Sequence, residues 1–312
     1  MPNSGDKAPI IPVLTGPTGA GKTSLAFEFM DGHPGLEMIS ADSRQIYKHL
    51  NIGTDKPTSE EISRYSIHLV DCVEPGDRFT AFDFVERANK LIGEILDRGH
   101  LPLVCGGTGL YIKSLVEGIV EIPDGDFQVR DDLEKIAETD GPEALHEKLK
   151  NIDPIEAYKV HPNNVKKVIR ALEIFYLTGK SKTEIMTIGS YKNIYDFKII
   201  CYLPPREHLY EKINSRVDLM LERGLPDEID MLINMGFKDQ VKQINVIGYN
   251  ELFEFRDGRL GFDEAVNLVK QNSRRFAKRQ ITWLKGMKNV QFCDKPEGVL
   301  DCLINIVEGR NI

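Results

Sequence analysis

The stretch Val13-Leu14-Thr15 runs directly into Gly16-Pro17-Thr18-Gly19-Ala20-Gly21-Lys22-Thr23 and then into a helical pattern from Ser24 to Met30. A strand, a G-x-x-x-x-G-K-T loop and a helix in that order leave little choice of fold, because the loop must sit at the carboxyl end of a sheet strand and open a helix. The glycines let successive N–H groups turn inward, and the helix adds its positive end. Lys22 supplies a mobile cation, and the Thr23 hydroxyl is placed to hold Mg²⁺. The residues therefore point to a ligand with at least two linked phosphates. They do not say which diphosphate it is, or whether a phosphoryl group moves.

The rest of the chain repeats the same rhythm. Apolar segments at Ile10–Thr15, Glu37–Ser40, Ile67–Asp71, Leu101–Cys105 and Phe197–Leu203 alternate with helical patterns at Thr23–Met30, Phe82–Arg98 and Arg206–Leu221. That is an α/β pattern, a P-loop NTPase-like parallel sheet flanked by helices. A last long helical region is expected over Arg259–Lys285, then a strand at Val290-Gln291-Phe292 and a helix near Pro296–Val307. Between Glu117 and Asp196 the strand signal stops, and polar helical stretches at Gln128–Thr139, Glu143–Lys150 and Asn164–Leu177 replace it. An inserted all-helical subdomain over 118–195 is expected, with 1–117 and 196–312 forming the core. Turn residues mark its borders, Ile122-Pro123-Asp124-Gly125-Asp126 on entry and Gly189-Ser190 near the exit.

A chain of 312 residues with 41% apolar content can bury such a core. No apolar run approaches the ~18 residues a bilayer span needs, and Met1–Lys7 has no apolar leader and reads as a frayed tail. A cytoplasmic protein is expected, and a monomer is the default. The five cysteines, Cys72, Cys105, Cys201, Cys293 and Cys302, contain no C-x-x-C pair and read as reduced, buried small hydrophobes. The seven histidines offer no zinc spacing. A net charge of −8 speaks against a uniformly basic surface, yet no acid occurs from Lys270 to Phe292. Arg274 with Lys278, and Arg275 with Arg279, stand four apart on the expected helix and form cationic rows; the alternative is a solvated basic face.

Several polar residues are expected to reach the phosphate loop. Asp42, after Met38-Ile39-Ser40-Ala41, lies at the carboxyl end of the second strand, where open parallel sheets place ligands. Its carboxylate suits Mg²⁺ held through water or a proton taken from a nucleophile; capping a helix with Ser43 is the structural alternative. Thr108, in Gly106-Gly107-Thr108-Gly109, is placed to orient a carboxylate or to donate to an anion, and serves equally well as a cap. Arg216 sits on a helix leaving the sheet edge and is either a second diphosphate cation or a surface arginine.

Taken together, Gly16–Thr23, Asp42-Ser43-Arg44-Gln45-Ile46-Tyr47-Lys48, Ile52-Gly53-Thr54-Asp55-Lys56-Pro57, Gly106–Tyr111 and Lys278-Arg279-Gln280-Ile281-Thr282-Trp283-Leu284 resemble the bacterial tRNA dimethylallyltransferases, over nearly the whole chain. The resemblance implies transfer of a dimethylallyl group from its diphosphate to N6 of adenine 37, beside the tRNA anticodon. It implies that the P-loop holds diphosphate as a leaving group, with Lys22, Arg216 and Mg²⁺ on Thr23 taking up charge. It makes Asp42 the general base, with Thr108 positioning it, and has the adenine extruded from its stack. It places the anticodon stem-loop on Asp42, Ser43, Arg44, Gln45, Thr108, Arg130, Lys166, Lys167, Arg170, Gly248, Tyr249, Lys278, Arg279 and Gln280. Within His161–Glu173, Asn164 stands where the family has an acid and Lys167 where it has an arginine, which removes bidentate contacts at 167. Asn250 stands where a basic residue is often found.

Three other readings are open to the sequence. A small-molecule or nucleoside kinase uses the same loop for phosphoryl transfer, but no lid arginine cluster is evident. Prenyl transfer to free AMP or ADP needs neither the insertion nor the basic helix. A non-catalytic P-loop RNA binder needs a γ-phosphate sensor, for which Asp71 is the one Walker-B-like candidate.

Overall fold

In the computed structural model, residues 9–122, 125–188 and 195–309 are described. Met1–Lys7, Pro123, Asp124, Gly189 and Ser190, which the sequence reads as a tail and as turns, lie outside them. The chain forms two compact units, Met1–Glu117 with Asn193–Ile312, and Gly118–Lys192.

The first unit is built on β1 (Ile10–Thr15), α1 (Lys22–Asp31), β2 (Leu36–Ser40), α2 (Ser59–Arg64), β3 (Ile67–His68), α3 (Ala81–Asp97), β4 (Leu101–Gly106) and α4 (Gly109–Glu117). The second holds α5 (Phe127–Thr139), α6 (Pro142–Ile152), α7 (Pro154–Lys159), α8 (Val165–Thr178) and α9 (Lys182–Ile188). The first unit then resumes with β5 (Asp196–Tyr202), α10 (Arg206–Glu222), α11 (Leu225–Asn234), α12 (Lys238–Ile244), α13 (Tyr249–Arg256), α14 (Phe262–Lys285), β6 (Val290–Cys293) and α15 (Pro296–Val307).

All six strands are parallel, in the order β3-β2-β4-β1-β5-β6. β1 is central, with Val13 level with Val104 on one side and Ile199 on the other. Strands covered on both faces read as unbroken apolar runs, and β1, β2 and β4 are buried almost throughout. Leu14, Met38, Leu103 and Ile200 form one core with Phe29 of α1 and Leu303 of α15. The alternate residues Val13, Ile39 and Val104 point to the opposite face, and α3, with Phe84, Ile92 and Ile95 fully buried, packs against β2 and β4.

The third strand is shorter than its apolar pattern. Leu69 (φ 62°) and Asp71 (φ 53°) adopt left-handed conformations that break the extended chain, and the Asp71 and Cys72 N–H groups donate to the Gln45 and Ile46 carbonyls instead. β6 is an edge strand, and α14 starts at Phe262 rather than Arg259. All five cysteines are free thiols; Cys105, Cys201 and Cys302 are buried, but Cys72, in the turn after β3, is exposed, against the buried role expected of it.

The helical unit closes on its own core of Leu133, Leu145, Leu149, Val168, Ile169 and Leu172. Asp126 caps α5 by accepting from Gln128 and Val129 N–H, and Pro142 opens α6. Asp153 caps α7 and also accepts from the Thr183 N–H and hydroxyl, tying α9 to α7.

Candidate active site

β2, β4 and β1 are neighbours, and the loops leaving their carboxyl ends meet at a cavity of about 490 Å³. This is the topological switch point of the sheet, where the strand order reverses and a crevice opens. Gly21 (φ 97°) precedes α1 in a conformation that disfavours any Cβ, and it provides no side-chain cap. The first N–H groups of α1 are therefore left for an anion. Thr18, Lys22 and Thr23 line the cavity, while Ala20 is fully buried beneath the loop. Lys22 Nζ donates to the Pro17 carbonyl at 2.9 Å. Burial pulls its pKa down, and the nearby Asp42 carboxylate acts in the opposite sense. Burial also pushes the Cys105 and Cys201 thiols up to about 11 and about 12, which leaves them protonated and unreactive.

Asp42 lines the cavity from the end of β2. Its Oδ1 accepts from the N–H groups of Arg44 (2.8 Å) and Gln45 (3.3 Å), so the capping role and the site position coexist. Among the described residues its Oδ2 makes no hydrogen bond. Thr108 does not touch that carboxylate: its hydroxyl accepts from Ser43 N–H at 2.9 Å and lies 3.2 Å from Ser43 Oγ, while its own N–H donates to the Ala41 carbonyl. It braces Ser43 and Ala41, the residues on either side of Asp42. The turn is tight on the β4 side too, since a Cβ on Gly109 would lie 2.4 Å from the Trp283 indole.

Arg216 reaches the cavity from α10. Its guanidinium donates to Thr18 Oγ1 (2.9 Å) and the Thr54 carbonyl (3.3 Å), and Nε lies 3.3 Å from Asp55 Oδ2. Two residues that the resemblance assigns to RNA also brace the walls. Gln280 accepts from Thr18 N–H and donates to the Gly107 carbonyl, each at 2.8 Å, strapping the phosphate loop to the β4 loop. Gln45 donates to the carbonyls of Thr54 and Asp55. Tyr249 is corrected outright: it is fully buried, and its hydroxyl donates to Glu228 at 2.6 Å, so it presents nothing to RNA. Gly248 is the positive-φ residue that starts α13 beside it.

Glu228 is a residue that no motif or spacing singles out. Buried on α11, it accepts from the N–H groups of Asn51, Ile52 and Gly53 as well as from Tyr249, and so holds the loop whose Thr54 and Asp55 grip Arg216. Asp71, the Walker-B-like candidate, is not in the cavity; it pairs with the buried Lys56 at 2.5 Å. Ile213, Val217, Met220, Val246, Val269 and Phe276 add apolar side chains to the lining of the same cavity, Ile213 directly against Gly19 of the phosphate loop.

On α14, Lys270 pairs with Asp218 and Arg274 donates to Asn214, whereas Arg275, Lys278 and Arg279 are exposed. Of the four residues in the expected cationic rows, Arg274 alone is thus committed to packing on α10. In the helical unit Arg130 and Arg170 both grip the fully buried Glu173, at 2.8 Å and 2.5 Å, and Lys166 and Lys167 are exposed. Asn164 precedes α8 without capping it.

Residues 45–287 match the family model of the IPP transferases. The chain belongs to this family. It is 45% identical over 289 residues to the tRNA dimethylallyltransferase of Acetivibrio thermocellus, covering 91% of each chain, and 41% identical over 312 residues to that of Bacillus velezensis, covering 97% and 98%. The tRNA isopentenylpyrophosphate transferase of Bacillus halodurans is 37% identical, with a TM-score of 0.68 over 96% of this chain and 97% of that one. A eukaryotic dimethylallyltransferase acting on tRNA is 27% identical, with a TM-score of 0.81 over 98% and 81%. An enzyme of the tRNA dimethylallyltransferase family, with a P-loop NTPase-like core, is what the whole chain resembles. No helix among the described residues is long and apolar enough to cross a membrane.

Proposed function

We propose that this IPP transferase family enzyme moves the dimethylallyl group of dimethylallyl diphosphate to N6 of adenosine 37, in tRNAs reading codons that begin with U, giving N6-dimethylallyladenosine and diphosphate. One observation carries this reading: a single cavity is lined both by the phosphate loop and by a set of apolar side chains. A nucleoside triphosphate uses the first and has no need of the second, whereas a prenyl diphosphate uses both.

In this reading the diphosphate lies on the Gly16–Thr23 loop, with Lys22 and Arg216 against its oxygens. The adenine amine attacks the allylic carbon as the C–O bond breaks, and the electron pair leaves with the diphosphate. The amine lone pair is delocalised into the ring, so its proton must be taken as the N–C bond forms, and Asp42 Oδ2 is the free acceptor. The Arg44 and Gln45 N–H groups hold that carboxylate through Oδ1, and Thr108 braces the neighbouring Ser43. Ser40, Thr23 and Asp42 are hard oxygen donors around the cavity, and among the described residues no three His, Cys, Asp or Glu side chains gather as a metal cage. The oxygen donors suit Mg²⁺, which leans on substrate phosphates and keeps water in its shell. Thr23 would hold the ion, which would supply charge neutralisation at the departing diphosphate. The adenine has to leave its stack to enter, and Lys166, Lys167, Lys278 and Arg279 are the exposed cations suited to the anticodon arm's phosphates.

The test is incorporation of label from dimethylallyl diphosphate into an unmodified anticodon stem-loop, with Mg²⁺ and without ATP. Label in the RNA that disappears when A37 is changed to G is the expected result. Label in AMP, or ADP released from added ATP, overturns the reading. Asp42→Asn should lower turnover by ~10²–10⁴ while RNA still binds.

A further inference from the structure

Beside the site cavity lies a second, open basin of about 550 Å³, lined by Lys113 and Glu117 from α4 and by Lys278, Arg279, Trp283 and Met287 from α14 and the turn after it. Arg279 and Trp283 line both hollows and so form the partition between them. Trp283 is the only tryptophan of the chain and is 44% exposed. Its position is set from behind by Gly109, where even a methyl group would collide with the indole. The Lys113 ammonium lies 6.0 Å from the ring centroid. Three cations therefore surround a fixed, half-open aromatic plate, against one carboxylate, Glu117, which lies 3.7 Å from Lys113.

An apolar ligand has no use for the cations, and a free phosphate has none for the indole. An unpaired nucleotide uses both, its base stacking on the ring and its phosphate meeting the charges. We infer that this basin is a second nucleotide subsite, which takes the base adjoining the modified one. The inference rests on the RNA-acceptor reading given above. With the target base in one hollow and its neighbour stopped against Trp283 in the other, the partition holds the two splayed apart. The neighbour's phosphate lies on Lys278 and Arg279.

Because Trp283 is the sole tryptophan, its emission reports on this contact directly. Three stem-loop RNAs serve as probes: intact, abasic on the 5′ side of the target adenine, and abasic on the 3′ side. The intact RNA should quench Trp283 on binding, and one of the abasic RNAs should quench less than half as strongly. The KM for RNA should rise about tenfold for Trp283→Ala and recover in Trp283→Phe, as loss and return of one stacked base require. RNA that is prenylated without quenching, or quenching equal for all three RNAs, overturns the subsite and leaves the enzymatic reading standing. RNA that quenches in this pattern but is never prenylated keeps the subsite and overturns the acceptor assignment.

Discussion

Glu228 decides how well Arg216 is aimed, although it never meets the cavity. One carboxylate accepts from three consecutive backbone N–H groups and a tyrosine hydroxyl, and the loop it fixes carries both the carbonyl and the carboxylate that grip the guanidinium. In Glu228→Gln an amide NH₂ replaces one acceptor oxygen and confronts those donors, leaving buried N–H groups unpaired at a cost of about 1–3 kcal/mol. The KM for the diphosphate substrate should rise about tenfold and the melting temperature fall, with RNA affinity unchanged; a variant with normal diphosphate KM would refute the positioning role. Nothing in Pro226-Asp227-Glu228 announces this, since the first turn of a helix is an ordinary place for an acid and its backbone partners lie some 175 residues away. The placement of Lys22, Thr23 and Asp42 around one cavity was legible for the converse reason: it follows from local turn chemistry and from the end of a strand. The same limit explains Gln280 and Tyr249, where a motif named the residue and only packing assigned its work.

At the scale of an element, α14 carries two kinds of cation that sequence spacing cannot tell apart. Lys270 and Arg274 face α10 and are held by Asp218 and Asn214, whereas Arg275, Lys278 and Arg279 are exposed. A contact to single-stranded phosphate contributes about −0.7 to the slope of log affinity against log salt. Lys278→Ala should therefore flatten that slope by about 0.7, and Arg274→Ala should leave it unchanged while lowering the melting temperature. Equal flattening by both would show that Arg274 leaves Asn214 to bind RNA. The strands and long helices were readable because each is periodic over its own length. The third strand misled because its apolar run continues where the backbone turns left-handed at Leu69 and Asp71, a conformation that no hydropathy pattern encodes.

On the scale of the whole molecule, stability and chemistry occupy opposite ends of the sheet. Near the start of β2, Glu37 accepts from Arg98 through two nitrogens and lies 2.7 Å from His68 Nε2 and 2.8 Å from His100 Nδ1, joining β2 to β3 and to the turn before β4. Burial alone would raise its pKa, but these partners hold it down to about 2, below the ordinary 4.5. A carboxyl with a depressed folded value stabilises the protein above its unfolded value and loses that contribution as pH falls towards the folded one. The melting temperature should thus decline between about pH 4.5 and about pH 2, and Glu37→Gln should shallow that decline; an unaltered acid limb would count against the cluster. The central β1 needs β5 as its second neighbour, and β5 is made only after the whole helical unit. At ~5–20 residues per second of synthesis, the segment from Gly106 to Asp196 takes on the order of ten seconds. Throughout that time the ribosome-bound chain presents β1 with a bare edge, and Thr18 waits longer still for Gln280. A truncated transcript thus yields a fragment whose phosphate loop lacks its strap, because Gln280 sits on almost the last helix translated.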